Sequence, residues 1–438
     1  FKEWSDKYGD VMSLKMGTGT LIVLSSAEAV NELWDRRGAI YSDRPKSWLF
    51  HDVISKDELH LLLMRYGATW RAVRKVFMSA LNVNAVDSLH PLQEAEATQT
   101  MKDLCETPQL FDEHVRREHS SGRLHPCYKL APSFWASWKK RAAAVRQGQY
   151  DLYVGLFEST KKRLAQGSTV NCFMDRLLSK EEMAKHQLNN DRLAYVGGIM
   201  MEAGSDTTSS ILLGFILTMT KYPDILRKAQ KEVDGVCGGD RSPVLEDSER
   251  LPYMKACINE LLRFRPPVPA VIPHALTQDD VYRGYLIPKG ATVVANTVAI
   301  DFNPEEYDHP GTYDPERFIK NEHGLKPGMV AEKGRRVTYA FGGGRRVCAG
   351  QHLGEANLYI TIAKLLWGFD ILPPLDEQGN AVPPTTINND WDAFSSGVTA
   401  TAKKYRCRIT PRSQKRVEIL LSDFQKAQPI YDAYKPKT

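Results

Sequence analysis

The 438-residue chain has no closely spaced pair of cysteines, and this absence excludes the paired-ligand spacing of structural zinc and iron–sulfur sites. Its seven cysteines are odd in number and scattered. One helical turn would bring His352 to Cys348, but no second pair of ligands accompanies them. Zinc is therefore a poor explanation, and the free thiols are typical of a reducing, cytosol-facing compartment.

A strong charge of either sign is also missing. The 58 Lys and Arg residues nearly balance the 53 Asp and Glu residues, which leaves a formal net charge of +5. No run of five or more like charges occurs, and basic residues do not alternate with aromatic ones. We therefore expect no nucleic-acid partner.

No signal peptide or membrane span is visible in the sequence. The most apolar long stretch, residues 195–220, carries Glu202 and Asp206 in its middle, where charge would be costly inside a bilayer. The stretch therefore predicts a long buried helix. Because no N-terminal anchor is visible, we expect this chain alone to be soluble.

The patterns that are present predict a single domain over residues 1–438, mainly α with small β-sheets (α+β). The 42% hydrophobic content is ordinary for a globular protein, and no repeat or low-complexity linker divides the chain. Residues 301–349 are rich in Pro, Gly and charge and predict mostly loop. Strand signals occur at 10–25, 268–300 and 397–410, and helical patterns at 66–81, 90–265 and 351–368.

Residues 341–350, FGGGRRVCAG, surround one cysteine with a setting that a packing cysteine does not need. Glycines let a backbone approach a planar ligand closely, and backbone N–H groups with a following helix N-terminus favour a thiolate. The arginine two residues before the cysteine can neutralise a carboxylate on the same ligand. These features predict a thiolate-ligated haem iron, with an inert cysteine in a glycine-rich turn as the alternative. The residues of this F-x-x-G-x-R-x-C-x-G spacing are Phe341, Gly344, Arg346, Cys348 and Gly350.

Three further stretches carry motifs in a characteristic order: AGSDTT at 203–208, ELLR at 260–263 and PERF at 315–318. With the cysteine loop, they make the sequence resemble the cytochrome P450 haem-thiolate monooxygenases, most of all the fungal microsomal members. The resemblance covers most of the chain. It implies a cytochrome P450-like fold with the haem between a long central helix and the Cys-ligand loop, and Cys348 as axial ligand.

Glu260 and Arg263 lie three residues apart, on one face of a predicted helix. Arg317 of the PERF motif can reach the same carboxylate, and the three then form a buried structural network. Such a network specifies one packing arrangement more than it adds net stability. A surface pair at i,i+3 is the plain alternative for Glu260 and Arg263.

Trp70 and Arg74 lie four residues apart, on one helical face. The resemblance implies that they donate hydrogen bonds to the haem propionates, and both side chains are obligate donors. It places His274 as another propionate partner, although a histidine satisfied within its own loop explains that residue equally well.

Asp206 and Thr207 are the predicted catalytic residues on the central helix. The small residues at 203–205 leave room for a diatomic ligand, and cleavage of an O–O bond requires two protons. Thr207 can hydrogen-bond the reacting oxygen and loosen the helix for water, while Asp206 can supply protons to that water. Backbone capping or bonding between helices is the alternative use of these hydroxyls.

The resemblance further implies haem b as cofactor and NADPH as an indirect electron source, through NADPH-cytochrome P450 reductase. The implied substrate is an apolar small molecule, and steroid, terpenoid, polyketide and fatty acyl compounds all fit. The parent protein would be a monomer held on the endoplasmic reticulum membrane, facing the cytosol, by an anchor absent from this chain. We expect the reductase to dock at Arg335, Arg336 and Arg345.

One departure from the family pattern lies at about residues 106–135, where the chain is several tens of residues shorter than the resemblance would require. Two functions follow. The first is a monooxygenase that inserts one oxygen atom of O2 into an apolar substrate. The second is a haem-binding protein without productive turnover, because the shortened middle weakens packing around the substrate. The intact Asp206-Thr207 pair favours the first.

Overall fold

A computed structural model of the chain describes residues 1–47, 51, 54–55, 58–118, 137–170, 172–186, 188–382 and 393–434. Within these ranges the expected architecture, mainly helical with small β-sheets, is confirmed. None of the helices found there has the length and apolarity that crossing a bilayer requires.

The helices of the described residues are numbered in chain order. They are α1 (Lys2–Tyr8), α2 (Ala27–Val30), α3 (Ala68–Leu81), α4 (Val83–Asp87), α5 (His90–Glu106), α6 (Phe111–Glu118), α7 (Ser137–Ala165), α8 (Phe173–Leu177), α9 (Lys180–His186), α10 (Asn190–Lys221), α11 (Pro223–Cys237), α12 (Pro252–Phe264), α13 (Thr297–Asp301), α14 (Glu316–Lys320), α15 (Gln351–Gly368) and α16 (Gln414–Tyr434).

Three small sheets accompany the helices. The predicted hairpin at 10–25 forms two antiparallel strands, and the second of them pairs in parallel with a strand from the 268–300 region. The strands are β1 (Val11–Met16), β2 (Gly19–Leu24), β3 (His274–Ala275), β4 (Asp280–Tyr282), β5 (Tyr285–Ile287), β6 (Thr292–Ala295), β7 (Phe369–Leu372) and β8 (Arg408–Pro411). The largest sheet, in the order β1-β2-β6-β3, joins the beginning of the chain to the segment around His274, while β4-β5 and β7-β8 form two separate pairs.

Helix α10 is the long buried helix that the apolar stretch predicts. The side chain of Asn189 caps its first turn by accepting from the backbone N–H of Arg192 at 3.0 Å. Pro223, the first residue of α11, ends it, because proline disfavours helical geometry in the residue before it. Residues 208–220 are buried continuously, whereas 202–204 are exposed although they lie in the middle of the helix. An opening in the protein interior therefore lies along the centre of α10.

Helix α15 follows the cysteine loop directly and coincides with the predicted range 351–368. Its residues from Leu358 to Gly368 are all buried, because this half of the helix is apolar nearly all round and packs in the main hydrophobic core. The first half is only partly buried. The core therefore fixes the C-terminal half of α15, and the cysteine loop lies directly before its N-terminal end.

The C-terminal region departs from the sequence prediction. Of the two strand signals at 397–410, only the second forms a strand, β8, while the first forms a single bridge between Phe394 and Ala402. Helix α16, which contains Pro429, has no counterpart in the sequence prediction. The shortened region is described only as far as α6 and again from α7, so residues 119–136, with Cys127, lie outside the described residues.

Candidate active site

The cysteine loop has its shape because two glycines adopt backbone angles that other residues avoid. Gly342 and Gly344 have φ of 72° and 62°. A side chain at Gly344 would place its Cβ 2.2 Å from the backbone oxygen of Trp34, so only glycine fits there. The backbone N–H of Cys348 donates to the oxygen of Phe341 at 2.9 Å, which closes the loop.

Cys348 lies at the open end of this loop. Its residue is exposed, yet surrounding protein is close enough that desolvation raises the pKa of the thiol. The backbone N–H of Gly350 and the positive charge of Arg74 act in the opposite direction and lower the pKa. Desolvation and the negative charge of Glu355 outweigh both, so the pKa of Cys348 is raised overall, and Gly350 and Arg74 are the groups that favour the thiolate.

Trp70 and Arg74, on α3, lie beside the same loop. The guanidinium of Arg74 donates to the backbone oxygen of Val347, next to Cys348. Trp70 is buried, and the guanidinium carbon of Arg346 lies 4.5 Å from the centroid of its ring. The structure therefore brings three of the predicted haem-binding side chains together with Cys348.

Arg346 is held by backbone oxygens of the segment before α3. Its guanidinium donates to the oxygens of Ser42 at 2.8 Å, Leu61 at 3.3 Å and Met64 at 2.7 Å. Desolvation lowers the pKa of Arg346 to about 10, although the negative charge of Asp43 acts against that shift. The guanidinium is thus fixed in place without a carboxylate that contacts it among the described residues.

His274, on β3, is buried and stacks on Trp34 with ring centroids 3.9 Å apart. Its Nδ1 lies 2.8 Å from the oxygen of Tyr41 and must donate its proton there. Desolvation, Arg44 and Arg346 hold the pKa of His274 well below its usual range. The ring is therefore neutral, and its Nε2 carries a lone pair rather than a proton.

Arg44 is a buried arginine that no sequence motif singles out. It donates to the backbone oxygens of Leu62 at 2.8 Å, Ile272 at 2.9 Å and Pro273 at 2.7 Å. Desolvation and the charge of Arg346 lower the pKa of Arg44 well below its ordinary value. No signal in the sequence distinguishes it, because its partners lie far away along the chain.

The residues present fit a haem. Within the described ranges, Arg44, Arg74 and Arg346 form no ion pair with a carboxylate, although burial of an unpaired cation is costly. A ligand with carboxylates would offset that cost. The same ligand would meet the accessible thiol of Cys348 and the exposed small residues 203–204 of α10. No cluster of three metal-ligating side chains occurs in the part of the chain that the structure describes.

On α10, Asp206 is exposed and Thr207 partly exposed. The hydroxyl of Thr207 donates to the backbone oxygen of Ala203 at 2.8 Å, so in this structure it bonds within its own helix. Ser210 bonds the backbone oxygen of Asp206 and the hydroxyl of Thr401, which joins α10 to the segment before β8. The two hydroxyls therefore differ: that of Thr207 bonds only within α10 among the described residues, whereas that of Ser210 ties two elements together.

Glu260, Arg263 and Arg317 lie together in the interior, and their residues are 0%, 1% and 6% exposed. Arg263 contacts the carboxylate of Glu260 with two nitrogens, at 2.7 and 2.8 Å, and Arg317 contacts it at 3.1 Å. The backbone N–H of Asp314 donates to the same carboxylate at 2.9 Å. The carboxylate and both guanidinium groups are hydrogen-bonded, as a buried network requires.

Of the three arginines expected to form the basic docking surface, Arg335 is buried, Arg336 is partly exposed and Arg345 is exposed, so the expectation is wrong for Arg335. Arg335 is buried and bonds Glu306 at 2.6 Å and Glu332 at 3.2 Å, because the loop folds it inward. Arg336 pairs with Asp35 and is only partly exposed. Arg345 alone is exposed, and it contacts the hydroxyl of Tyr66.

Comparison with known proteins gives the class of this fold and site. The family model for cytochrome P450 matches residues 1–116 and 100–389. A cytochrome P450 monooxygenase of Arthrobotrys oligospora is 34% identical over 480 residues, which cover 99% of this chain and 88% of that protein. The cytochrome P450 monooxygenase patH of Penicillium expansum is 36% identical over 460 residues, with 94% and 85% coverage. A zebra fish cytochrome P450 structure with abiraterone has a TM-score of 0.75 at 23% identity, with 94% and 98% coverage.

This chain belongs to the cytochrome P450 family and has its monooxygenase function. The recognition from the cysteine loop and its companion motifs, and the fold class, are thereby confirmed. The family implies a haem cofactor, an organic substrate and a reductase partner.

Proposed function

We propose that the Cys348 thiolate is the axial ligand of haem b and that Arg44, Arg74 and Arg346 bind the haem propionates. A single observation carries the proposal: three guanidinium groups that no described carboxylate contacts lie close to one another and to the accessible thiol of Cys348. When bound, a haem thiolate supplies the redox chemistry that activates dioxygen. Phe341, Gly344 and Gly350 shape the loop that holds the thiolate.

Trp70 and His274 complete the propionate side in different ways. Trp70 can donate its indole N–H directly. His274 cannot donate from Nε2 while its ring is neutral, because the single ring proton lies on Nδ1, against Tyr41. A propionate beside it would raise the pKa of His274 and favour the doubly protonated ring, which then donates from both nitrogens. We therefore propose that His274 takes up a proton when haem binds.

The catalytic proposal concerns Asp206 and Thr207. The hydroxyl of Thr207 can turn from the oxygen of Ala203 toward the opening, and Asp206, one residue before, is exposed and can exchange protons with water there. Together they would hold an ordered proton donor at this point of α10. Glu260, Arg263 and Arg317 have a structural part, since their network ties α12 to α14.

The substrate that we propose is an apolar organic molecule, into which one oxygen atom is inserted. Its electrons would come from NADPH through NADPH-cytochrome P450 reductase, and the parent protein would act on the cytosolic face of the endoplasmic reticulum. For docking of the reductase, Arg345 is an exposed cation of the cysteine loop. Opposite charge on the partner would speed the encounter, and electron transfer would then slow as salt rises.

The test begins with the reduced carbon-monoxide difference spectrum of the haem-loaded chain, which reports a thiolate ligand. NADPH consumption with reductase present follows, together with the ratio of oxygenated product to hydrogen peroxide. Product formation supports the proposal. A normal carbonyl spectrum with electrons released almost entirely as peroxide would instead support the haem-binding alternative. The family match falls into two segments that overlap at residues 100–116, next to the shortened region, and this division makes the measurement necessary.

A further inference from the structure

Glu202 is a carboxylate in the middle of α10, four residues before Asp206. Its side chain is 50% exposed although the helix crosses the interior. An ionisable group in so apolar a stretch is itself a pointer to function. In the sequence it stands out only as a charge that argues against a membrane span.

Three hydrogen-bond donors converge on one oxygen of Glu202. Its Oε2 accepts from the hydroxyl of Tyr153, from Nε2 of Gln149 at 3.1 Å and from Nε2 of His60 at 3.4 Å. Desolvation alone would raise the pKa of Glu202, but the bonds from His60, Tyr153 and Gln149 outweigh it, so the pKa is lowered. The group is therefore ionised near neutral pH.

The packing of α7 against α10 fixes the position of two of the donors around Glu202. Gln149 and Tyr153 lie one turn apart on α7, and the ring of Tyr153 approaches α10 where Gly198 has no side chain. A Cβ at Gly198 would lie 2.2 Å from that ring. His60 is buried, and its Nδ1 has no hydrogen-bond partner among the described residues.

The other oxygen of Glu202, Oε1, accepts no hydrogen bond from any described residue. Next to it on α10, Ala203 and Gly204 are exposed. The segment that carries His60 continues directly to Leu61, whose backbone oxygen accepts from Arg346 of the cysteine loop. Glu202 and the cysteine loop are thus linked through two consecutive residues, His60 and Leu61.

We propose that Oε1 of Glu202 binds a hydroxyl group of an otherwise apolar substrate, so that the substrate class of this monooxygenase is an alcohol or phenol rather than a hydrocarbon or ketone. The inference rests on the proposed function and names its substrate more closely. Since Oε2 is saturated by three donors, the free oxygen of the anion can only accept, and a hydroxyl satisfies it where a carbonyl leaves it unpaired. Glu202 is therefore the specificity-determining residue.

The Glu202→Gln variant tests this sharply. The amide oxygen must take the three donors, which directs the amide NH2 into the opening in place of Oε1. The group that faces the ligand then donates a hydrogen bond instead of accepting one, so the variant should bind a ketone more tightly than the matching alcohol. The control is Asp191→Asn: it removes the same charge from α10, where Tyr150 of α7 bonds Asp191 at 3.2 Å, but about 16 Å farther along the helix.

The probes are 2-dodecanol and 2-dodecanone, menthol and menthone, and cholestanol and cholestanone. Their dissociation constants are measured by calorimetry on the haem-loaded chain. We expect the alcohol of at least one pair to bind about tenfold more tightly than its ketone, which corresponds to about 1.4 kcal/mol. The ratio of the alcohol's dissociation constant to the ketone's should invert in Glu202→Gln and stay at its wild-type value in Asp191→Asn.

Equal alcohol-to-ketone ratios in wild type and Glu202→Gln, or an absence of alcohol binding, would overturn the inference. A Glu202→Gln variant that only has a lower melting temperature would overturn it as well, because the cluster is then merely a clasp between α7 and α10. The carbonyl spectrum of each protein is recorded first. Its loss in wild type contradicts the proposed function, whereas unchanged ratios with the spectrum intact contradict only the role of Glu202.

Discussion

The carboxylate of Asp35 accepts a hydrogen bond from the backbone N–H of Gly344 at 2.8 Å, four residues before Cys348. The same oxygen pairs with Arg336, while the other oxygen of Asp35 is buried without a partner in the described part of the chain. Asp35 lies on the short helical segment after α2, more than three hundred residues away in sequence. The side chain of Asp35 is therefore one of the contacts that fasten the cysteine loop to the N-terminal part of the fold.

Replacing Asp35 with alanine should loosen the cysteine loop, because it leaves the N–H of Gly344 and the charge of Arg336 without their partner. Loss of a hydrogen bond to a charged group costs about 1.5–3 kcal/mol. We expect a lower melting temperature and faster haem loss, measured as transfer of haem to apomyoglobin. Asp35→Asn keeps an acceptor for the N–H of Gly344, so its melting temperature should fall less than that of Asp35→Ala and its haem should be lost more slowly. Equal haem-transfer rates in wild type and Asp35→Ala would show that this contact does not hold the loop.

Cys348→Ser should abolish the red-shifted Soret band of the reduced carbonyl complex, since a serine hydroxyl does not replace a thiolate as ligand. Cys105→Ser is the matched control, because Cys105 is also free but packs against the main core. The carbonyl spectra of both variants decide the matter. A band that survives in Cys348→Ser refutes the axial-ligand assignment.

Arg317→Ala should destabilise the fold by about 3–5 kcal/mol, because it leaves part of the buried negative charge of Glu260 uncompensated. Arg227→Ala removes an exposed arginine that pairs with Asp224, and we expect a change within about 0.5 kcal/mol. Chemical denaturation of the two variants compares these effects. A loss for Arg317→Ala as small as that for Arg227→Ala would mean that the network does not depend on it.

Asp301 gives the fold a pH dependence. It is buried, and desolvation raises its pKa to about 8, against the charges of Arg263 and Arg335. The pKa of Asp301 is about 4 in the unfolded state and about 8 in the native state. Between pH 4 and pH 8 the native state therefore holds a proton that the unfolded state has released. The stability that the protonated carboxyl contributes is complete below pH 4 and is lost as the pH rises to 8. The melting temperature of Asp301→Asn, relative to wild type, should therefore rise by about 2 °C or more between pH 5 and pH 8.5.

The control for this experiment is Asp175→Asn. Desolvation would raise the pKa of Asp175, but the hydrogen bond from Arg163 and further hydrogen bonds outweigh it and hold the pKa far below its ordinary value. Its stabilisation is therefore complete throughout the range from pH 5 to pH 8.5 and is lost only in strong acid. A relative melting temperature of Asp301→Asn that stays as flat as that of Asp175→Asn would show that Asp301 does not hold a proton in the native state.

The parts of the fold that sequence predicts well are those with strong local signals. Helix α15 is predicted at its observed bounds because Gly350 precedes it and an apolar run fills it. Helix α16 escapes prediction because its own pattern is weak and includes Pro429; contacts with α5, such as the bond from Tyr431 to the backbone of Ala95, hold it in place. Such distant packing leaves no local mark in the sequence.

The site shows the same division. Motif spacing is enough to single out Cys348 and the Glu260 network, since the chemistry of each requires particular residue types at fixed distances. It gives no indication of Arg44, and it places Arg335 on the surface although the distant Glu306 pairs with it in the interior. The burial of a charge depends on what lies opposite in the fold, and only the structure reveals that.

Proton delivery is the step that distinguishes a catalyst from a haem binder, and Thr207 is the residue that we predict to take part in it. Its hydroxyl bonds the oxygen of Ala203 in this structure, and a rotation about χ1 would direct it into the opening beside Asp206. The hydroxyl of Ser205, two residues before Thr207, donates to the backbone oxygen of Glu202 at 3.2 Å and provides a comparison hydroxyl on the same helix.

Thr207→Ala should retain haem and substrate binding and still consume NADPH, because neither depends on the hydroxyl. The share of electrons that ends in product should fall about tenfold, and hydrogen peroxide should rise to match, since an ordered proton donor is lost. A tenfold change corresponds to about 1.4 kcal/mol between the two outcomes. Thr207→Ser should restore much of the coupling, Ser205→Ala should leave it unchanged, and Asp206→Asn should slow turnover itself. If Thr207→Ala couples as well as wild type, the protons arrive by another route, through substrate hydroxyls or water alone.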